Sequence, residues 1–489
     1  MTVDELTKAR VTASPPLPGR ATGVGSVMHR DLPEGVLLWG LIAGLAWAPA
    51  YLGGNGDIAW GIDAIVFPGL AVAYEVSLIV RGRPHPVGLR LIALPAAFFF
   101  AVVTWTTLQN ATWLPKALQH PIWSMAADVL GRDVAGSISV DRDLTALALT
   151  GLITAGAVFW LALQLCRDSA RANRLLGGVA VIGVCYAVYG LAAFVLTPGY
   201  TLWYENTVAK GFLTSTFYNK NSYGAYAGMA LCTLVGLTLR HYRRQAADAG
   251  VPFKYKLASV LETTGSGGAF HLAGVFLILV TLLMTASRGA ILSTAFGLFV
   301  IGALGTRSHA RGREQRLTVF IGALLLAATF IGFGDEFLDR VSDSGVMDTA
   351  RLAVAKMTID STLNSPLFGY GLGTFSDVFP LFRDRSVSLL NHWAMAHNSY
   401  LEALQGLGLI FGTLLIAAVM MLAVKSLKGA TTRHAHLTPS RVAAGVCLLI
   451  GLHSLVDFSL QIQAVALTFA AILGAGVAQS ESSRTPTED

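Results

Sequence analysis

The feature that most constrains this chain is a succession of apolar runs, each long enough to cross a bilayer, separated by short polar breaks. A hydrocarbon core of about 30 Å takes roughly 20 helical residues, and only backbones whose hydrogen bonds close internally are stable there. On that measure spans are expected at 36–52, 58–80, 89–108, 143–166, 174–197, 220–239, 269–286, 289–306, 317–334, 397–424, 441–459 and 462–479. The expectation is an all-α polytopic integral membrane protein with about 12 transmembrane helices. Composition agrees, since 54% of the 489 residues are hydrophobic and 13% charged, a balance too apolar for a soluble domain.

The formal charge of +6 does not argue for nucleic acid, because basic residues in such a chain are first explained by loops held on the cytoplasmic side. Cys166, Cys185, Cys232 and Cys447 all fall inside apolar runs without paired spacing, so neither a disulfide framework nor a zinc site is indicated. Residues 1–35 and 480–489 are expected to be cytoplasmic tails, 36–197 a set of N-terminal transmembrane helices, and 198–479 a transmembrane core. That core includes a large external loop, 335–396.

Loop charge gives an orientation. One set of connections holds Arg81, Arg83 and Arg90; Arg167, Arg171 and Arg174; Arg240, Arg243, Arg244, Lys254 and Lys256; Arg307, Arg311, Arg313 and Arg316; and Lys425, Lys428, Arg433 and Arg441. The alternate connections are longer and hold fewer basic residues. Both termini are therefore expected on the cytoplasmic side of an inner-membrane protein. Within the external loop, residues 347–363 place Leu352, Ile359 and Leu363 at roughly helical spacing, with Pro366 as the stop, which predicts a helix on or near the membrane surface.

The residues suited to chemistry share the external side. Arg288 interrupts LLMTASRGAILS, and a charge in or near hydrocarbon costs at least ~2.5 kcal/mol unless it has a partner or a task. It reads as a headgroup-snorkelling arginine or as a phosphate clamp. Arg351 reads as a solvated helix face or as a second diphosphate ligand. His397 and Glu402, in HNSYLE at the start of a long apolar helix, read as packing residues or as a general base with a carboxylate that orients it or pairs with an arginine. His453 and Asp457 are four apart, which predicts one helical face, structural or functional. Asn219, Lys220 and Asn221 begin the sixth span and suit sugar contacts, or merely cap the helix. The run PLFGYGLGTF at 366–375 reads as a close-packed connection, its spacing being wrong for a dinucleotide fingerprint.

The motifs SRG at 287–289, Arg351, PLFGYGLGTF and AHNSYLEALQGLGLIFG at 396–412 resemble the O-antigen ligase and polymerase superfamily. FYNKNSYGAY and HSLVDFSLQIQA resemble its exopolysaccharide members, and the likeness covers roughly residues 200–475. The resemblance implies an inverting, metal-independent glycosyltransferase of the GT-C type, without cofactor. It implies transfer of a glycan from undecaprenyl diphosphate to an acceptor hydroxyl at the periplasmic face. It carries diphosphate binding to Arg288 and Arg351 and catalysis to His397. The implied partners are the lipid-linked glycan donor, a glycan or lipid A core acceptor, membrane lipids and a chain-length regulator. A polymerase is favoured over a ligase acting on lipid A core. A transporter of lipid-linked saccharide is the reading from another class, although no internal repeat supports it.

Overall fold

In this computed structural model the described residues are 32–245, 264–306, 349–388, 393–433 and 435–481. In chain order the helices are α1 (Leu32–Trp47), α2 (Asp57–Arg81), α3 (Ala93–Gln109), α4 (Ile122–Leu130), α5 (Arg142–Leu165), α6 (Ser169–Leu196), α7 (Lys220–Gln245) and α8 (Ala269–Met284). They continue with α9 (Arg288–Thr306), α10 (Thr349–Asn364), α11 (Phe375–Phe382), α12 (Ser399–Thr432), α13 (Thr438–His453) and α14 (Gln463–Ala478). Among the described residues, the strands are two-residue pieces paired antiparallel, Tyr200 with Glu205 and Thr201 with Tyr204.

Among the described residues, seven helical segments are long and apolar enough to cross a membrane, and α1, α8 and α14 are shorter apolar helices. The molecule is thus an all-α, multi-span membrane protein. A count of twelve crossings is finer than these helices establish, and the expected span 317–334 lies outside the described residues. The helices bury themselves unevenly. In the most apolar stretch of α7, 83% is buried, against 22% in α2, so α7 is interior while α2 presents apolar side chains outward, as a lipid-facing helix does. Helix α14 is buried almost throughout and packs against α5, α12 and α13. One continuous apolar core runs from Leu37 to Ala478, so the expected boundary at 197 is not a gap in packing.

Polar contacts define two ends of the bundle. At one, Arg81 pairs with Glu34 at 2.9 Å, and the Gln479 amide donates to the carbonyls of Cys166 and Arg167 at 2.7 and 2.8 Å. At the other, Thr216 donates to the carbonyl of Pro49 at 2.6 Å and the Leu213 amide to Met284 at 3.1 Å. The described basic residues of the first alternate set therefore lie at the end opposite Lys220, Arg288 and Ser399.

Helix α12 is long but broken, because Gly408 takes φ 78°, ψ 167° inside it. A break exposes backbone groups that lipid cannot satisfy, and the PLFGYG segment supplies the partners. The amides of Tyr370 and Gly371 donate to the carbonyls of Gln405 and Gly406 at 3.1 and 2.9 Å, and the Leu409 amide donates to Pro366 at 2.7 Å. From α3, Trp105 donates to the Leu407 carbonyl at 3.0 Å and Gln109 to the Gly406 carbonyl at 2.8 Å. A Cβ at Gly408 would meet the Leu367 carbonyl oxygen at 2.6 Å, so glycine there is required both by its conformation and by the close approach. The glycine-rich run is thus a splint for a discontinuous helix.

Helix α10 forms where the sequence places it, but its packed face differs from the row singled out. Leu352, Ile359 and Leu363 are exposed, while Val354, Met357, Thr358, Ser361 and Thr362 are buried. The reason is the separate small core that α10 builds with Phe375, Phe379, Val387 and Ala396. The outward apolar row suits a helix lying against a membrane surface.

Candidate functional site

Three candidate segments are each entered through a residue with left-handed backbone: Ser215 at φ 52°, Ala286 at φ 47° and His397 at φ 52°. Non-glycine residues hold that conformation at a cost of about 1–3 kcal/mol, so the surrounding contacts must enforce it. The turns aim the N-termini of α7, α9 and α12 at one place. That place is residues 454–459 in the connection between α13 and α14.

From α12, the Ser399 amide donates to the Ser454 carbonyl at 2.9 Å, Ser399 Oγ to the Asp457 carbonyl at 3.1 Å, and Asn398 Nδ2 to Leu455 at 3.0 Å. From α10, Arg351 Nη1 donates to the Val456 carbonyl at 3.2 Å. From α7, Asn221 Nδ2 donates to Asp457 Oδ2 at 2.7 Å. From α9, Gly289 lies so close that an added Cβ would sit 3.0 Å from Val456 and 3.5 Å from the His453 ring, which puts the exposed Arg288 beside this connection.

Asp457 is the hub. It is 1% exposed, and its Oδ1 accepts from the Phe458 amide at 2.9 Å and from Ser459 Oγ at 3.2 Å. His397 Nδ1 stands 3.6 Å from Oδ2, an ion-pair distance once the imidazole is protonated and longer than a hydrogen bond, as catalytic contacts often are without substrate. Burial alone would push this carboxyl up. The close approach of His397 and the charges of His453, His397 and Arg351 outweigh burial and hold it below the usual carboxylate range. The His397 ring is packed edge-on between Phe458, at 4.9 Å, and Trp393, at 5.4 Å. With Nδ1 turned to the carboxylate, Nε2 is the nitrogen left for a reacting hydroxyl.

Three readings need correction. Helix α13 ends at His453, the Val456 amide closing a turn on the His453 carbonyl at 3.0 Å. His453 and Asp457 therefore do not share a helical face, and Asp457 instead holds Asn221 and His397. Glu402 neither orients the imidazole nor pairs with an arginine among the contacts described. Its Oε2 accepts from the Ala396 amide at 2.9 Å and it bonds the Gln461 side chain, so it braces the loop that carries His397. Lastly, Asn219 and Asn221 differ in kind. Asn219 Oδ1 accepts from the Asn221 amide at 2.7 Å, the geometry of a helix cap, and only Asn221 reaches the hub. Lys220 lies 3.3 Å over the Phe212 ring, a cation–π contact. The sequence reading missed Ser399, Trp393 and Phe458. Phe458 adjoins Asp457 and Ser399 lies two residues from His397, and those adjacencies were the available signals.

No curated protein matches the chain. A family model described as O-antigen ligase matches residues 273–417. The matched segment holds Arg288, Arg351, His397 and Glu402, and supports the resemblance to the O-antigen ligase and polymerase superfamily.

Proposed function

We propose that the protein is a GT-C-type membrane glycosyltransferase that moves a glycan from undecaprenyl diphosphate to an acceptor sugar hydroxyl at the periplasmic face of the inner membrane. The observation that carries this reading is the meeting of Arg351, His397, Asn221 and the start of α9 on the single connection 454–459. The acceptor oxygen attacks the anomeric carbon, the bond from that carbon to the diphosphate oxygen breaks, and the configuration inverts. The acceptor proton passes to His397 Nε2, with Asp457 stabilising the imidazolium. Arg288 and Arg351 compensate the charge gathering on the leaving diphosphate. The N-terminal ends of α7, α9 and α12 add positive potential at the same end, so the protein supplies the positive charge the leaving group needs without a metal.

Chain extension is the favoured acceptor reaction, and transfer to lipid A core is the second reading. Deleting the gene in its host and resolving lipopolysaccharide on a gel separates them. A core bearing a single repeat is the expected result, restored by the wild-type gene and not by His397→Ala. Loss of all capping selects the ligase, and unchanged lipopolysaccharide and exopolysaccharide overturn both.

A further inference from the structure

The helices that build the site also build a second polar feature at their opposite ends. Helix α7 runs from Asn221 to Arg240 and Arg243, α9 from Arg288 to Gly305, and α13 from His453 back to Arg441. At 1.5 Å per residue, Asn221 and Arg240 are about 30 Å apart along the axis, the thickness of a hydrocarbon core. Between these far ends lies a cavity of about 390 Å³. Arg240, Arg243, His436 and Arg441 line it, with Leu239 and Ile301 among the apolar walls, and among the described residues none of its lining side chains is acidic.

Its cations are held in place. Arg243 Nη2 donates to the Gly305 carbonyl at 2.6 Å, and Arg441 Nε is buried without a hydrogen-bond partner among the described residues. The start of α13, Thr438 with Pro439 behind it, opens on the same cavity and adds the positive end of a helix dipole. The like charges of Arg243 and Arg441, brought together in a partly enclosed space, repel unless an anion joins them. Guanidinium groups match a phosphate in shape and charge.

We propose that this cavity binds a phosphate group, and its place at the membrane boundary beside apolar walls favours the headgroup of an anionic glycerophospholipid. The site is independent of the glycosyl-transfer reading, since no residue is shared. The test titrates full-length detergent-solubilised protein with phosphatidylglycerol, phosphatidylcholine or inorganic phosphate and reads thermal stability.

Phosphatidylglycerol is expected to raise the melting temperature where phosphatidylcholine does not. Its half-saturating concentration should rise about tenfold in the Arg243→Gln, Arg441→Gln double variant. Equal stabilisation by inorganic phosphate supports the site and assigns it to a soluble phosphate. Where the double variant does not fold, hydrogen exchange on the wild type replaces it, with phosphatidylglycerol expected to protect residues 236–243 and 435–441. Equal response to both lipids and none to phosphate, or no protection of those two segments, overturns the proposal.

Discussion

The two ends of helices α7, α9 and α13 handle charge in opposite ways. At the Asn221 and His453 end, a buried carboxylate sits at the centre and neutral, cationic and hydroxyl groups converge on it. At the Arg243 and Arg441 end, cations line a cavity with no acid among its described walls. An end with its own counter-charge is preorganised. The opposite end is the one proposed to take an anion from outside.

The largest expected effect breaks the site end at its base. His397→Ala should lower transfer by about 10²–10⁴-fold, the usual contribution of a positioned acid or base, with an unchanged size-exclusion profile. Arg288→Ala should cost about 10²–10³-fold, comparable to losing one charge-stabilising donor, read as kcat for the lipid-linked donor. Asp457→Asn, acting through His397, should reduce kcat by about tenfold or more and leave KM for the donor little changed. A merely structural Asp457 would lower yield and stability but leave kcat per folded molecule unchanged.

Asp457 also gives a pH signature. Its folded value is depressed, so its stabilisation is present above the unfolded value near 4 and is lost as pH falls through the lower folded value. Melting curves should therefore show Asp457→Asn less stable than wild type at neutral pH, with the gap closing in acid.

The smallest effect sharpens the comparison between neighbours. Asn219→Ala should cost about 1 kcal/mol of stability as a lost cap and keep its activity. Asn221→Ala should lose activity more than stability.

These pairs also show what a sequence can tell. Apolar length announces helices because lipid permits little else, and loop charge separates their two ends. The candidate residues Arg351, His397, Asn221 and Asp457 were legible as types in unusual places. Their partners were not. Asp457 looked like the helical neighbour of His453 because four-residue spacing is informative only while the helix continues, and α13 stops at His453. Glu402 looked catalytic because it is a carboxylate near a histidine, whereas its acceptor atoms are taken by Ala396 and Gln461. The break at Gly408 was hidden because its splint comes from a segment far away in sequence, and local pattern carries no information about such a pairing.

The most direct measurement is glycan transfer by purified protein from an undecaprenyl-diphosphate-linked donor, wild type against His397→Ala. The account predicts product from the wild type and at least a hundredfold less from the folded variant. Equal rates from the two proteins would contradict the role given to His397 on its Asp457 hub.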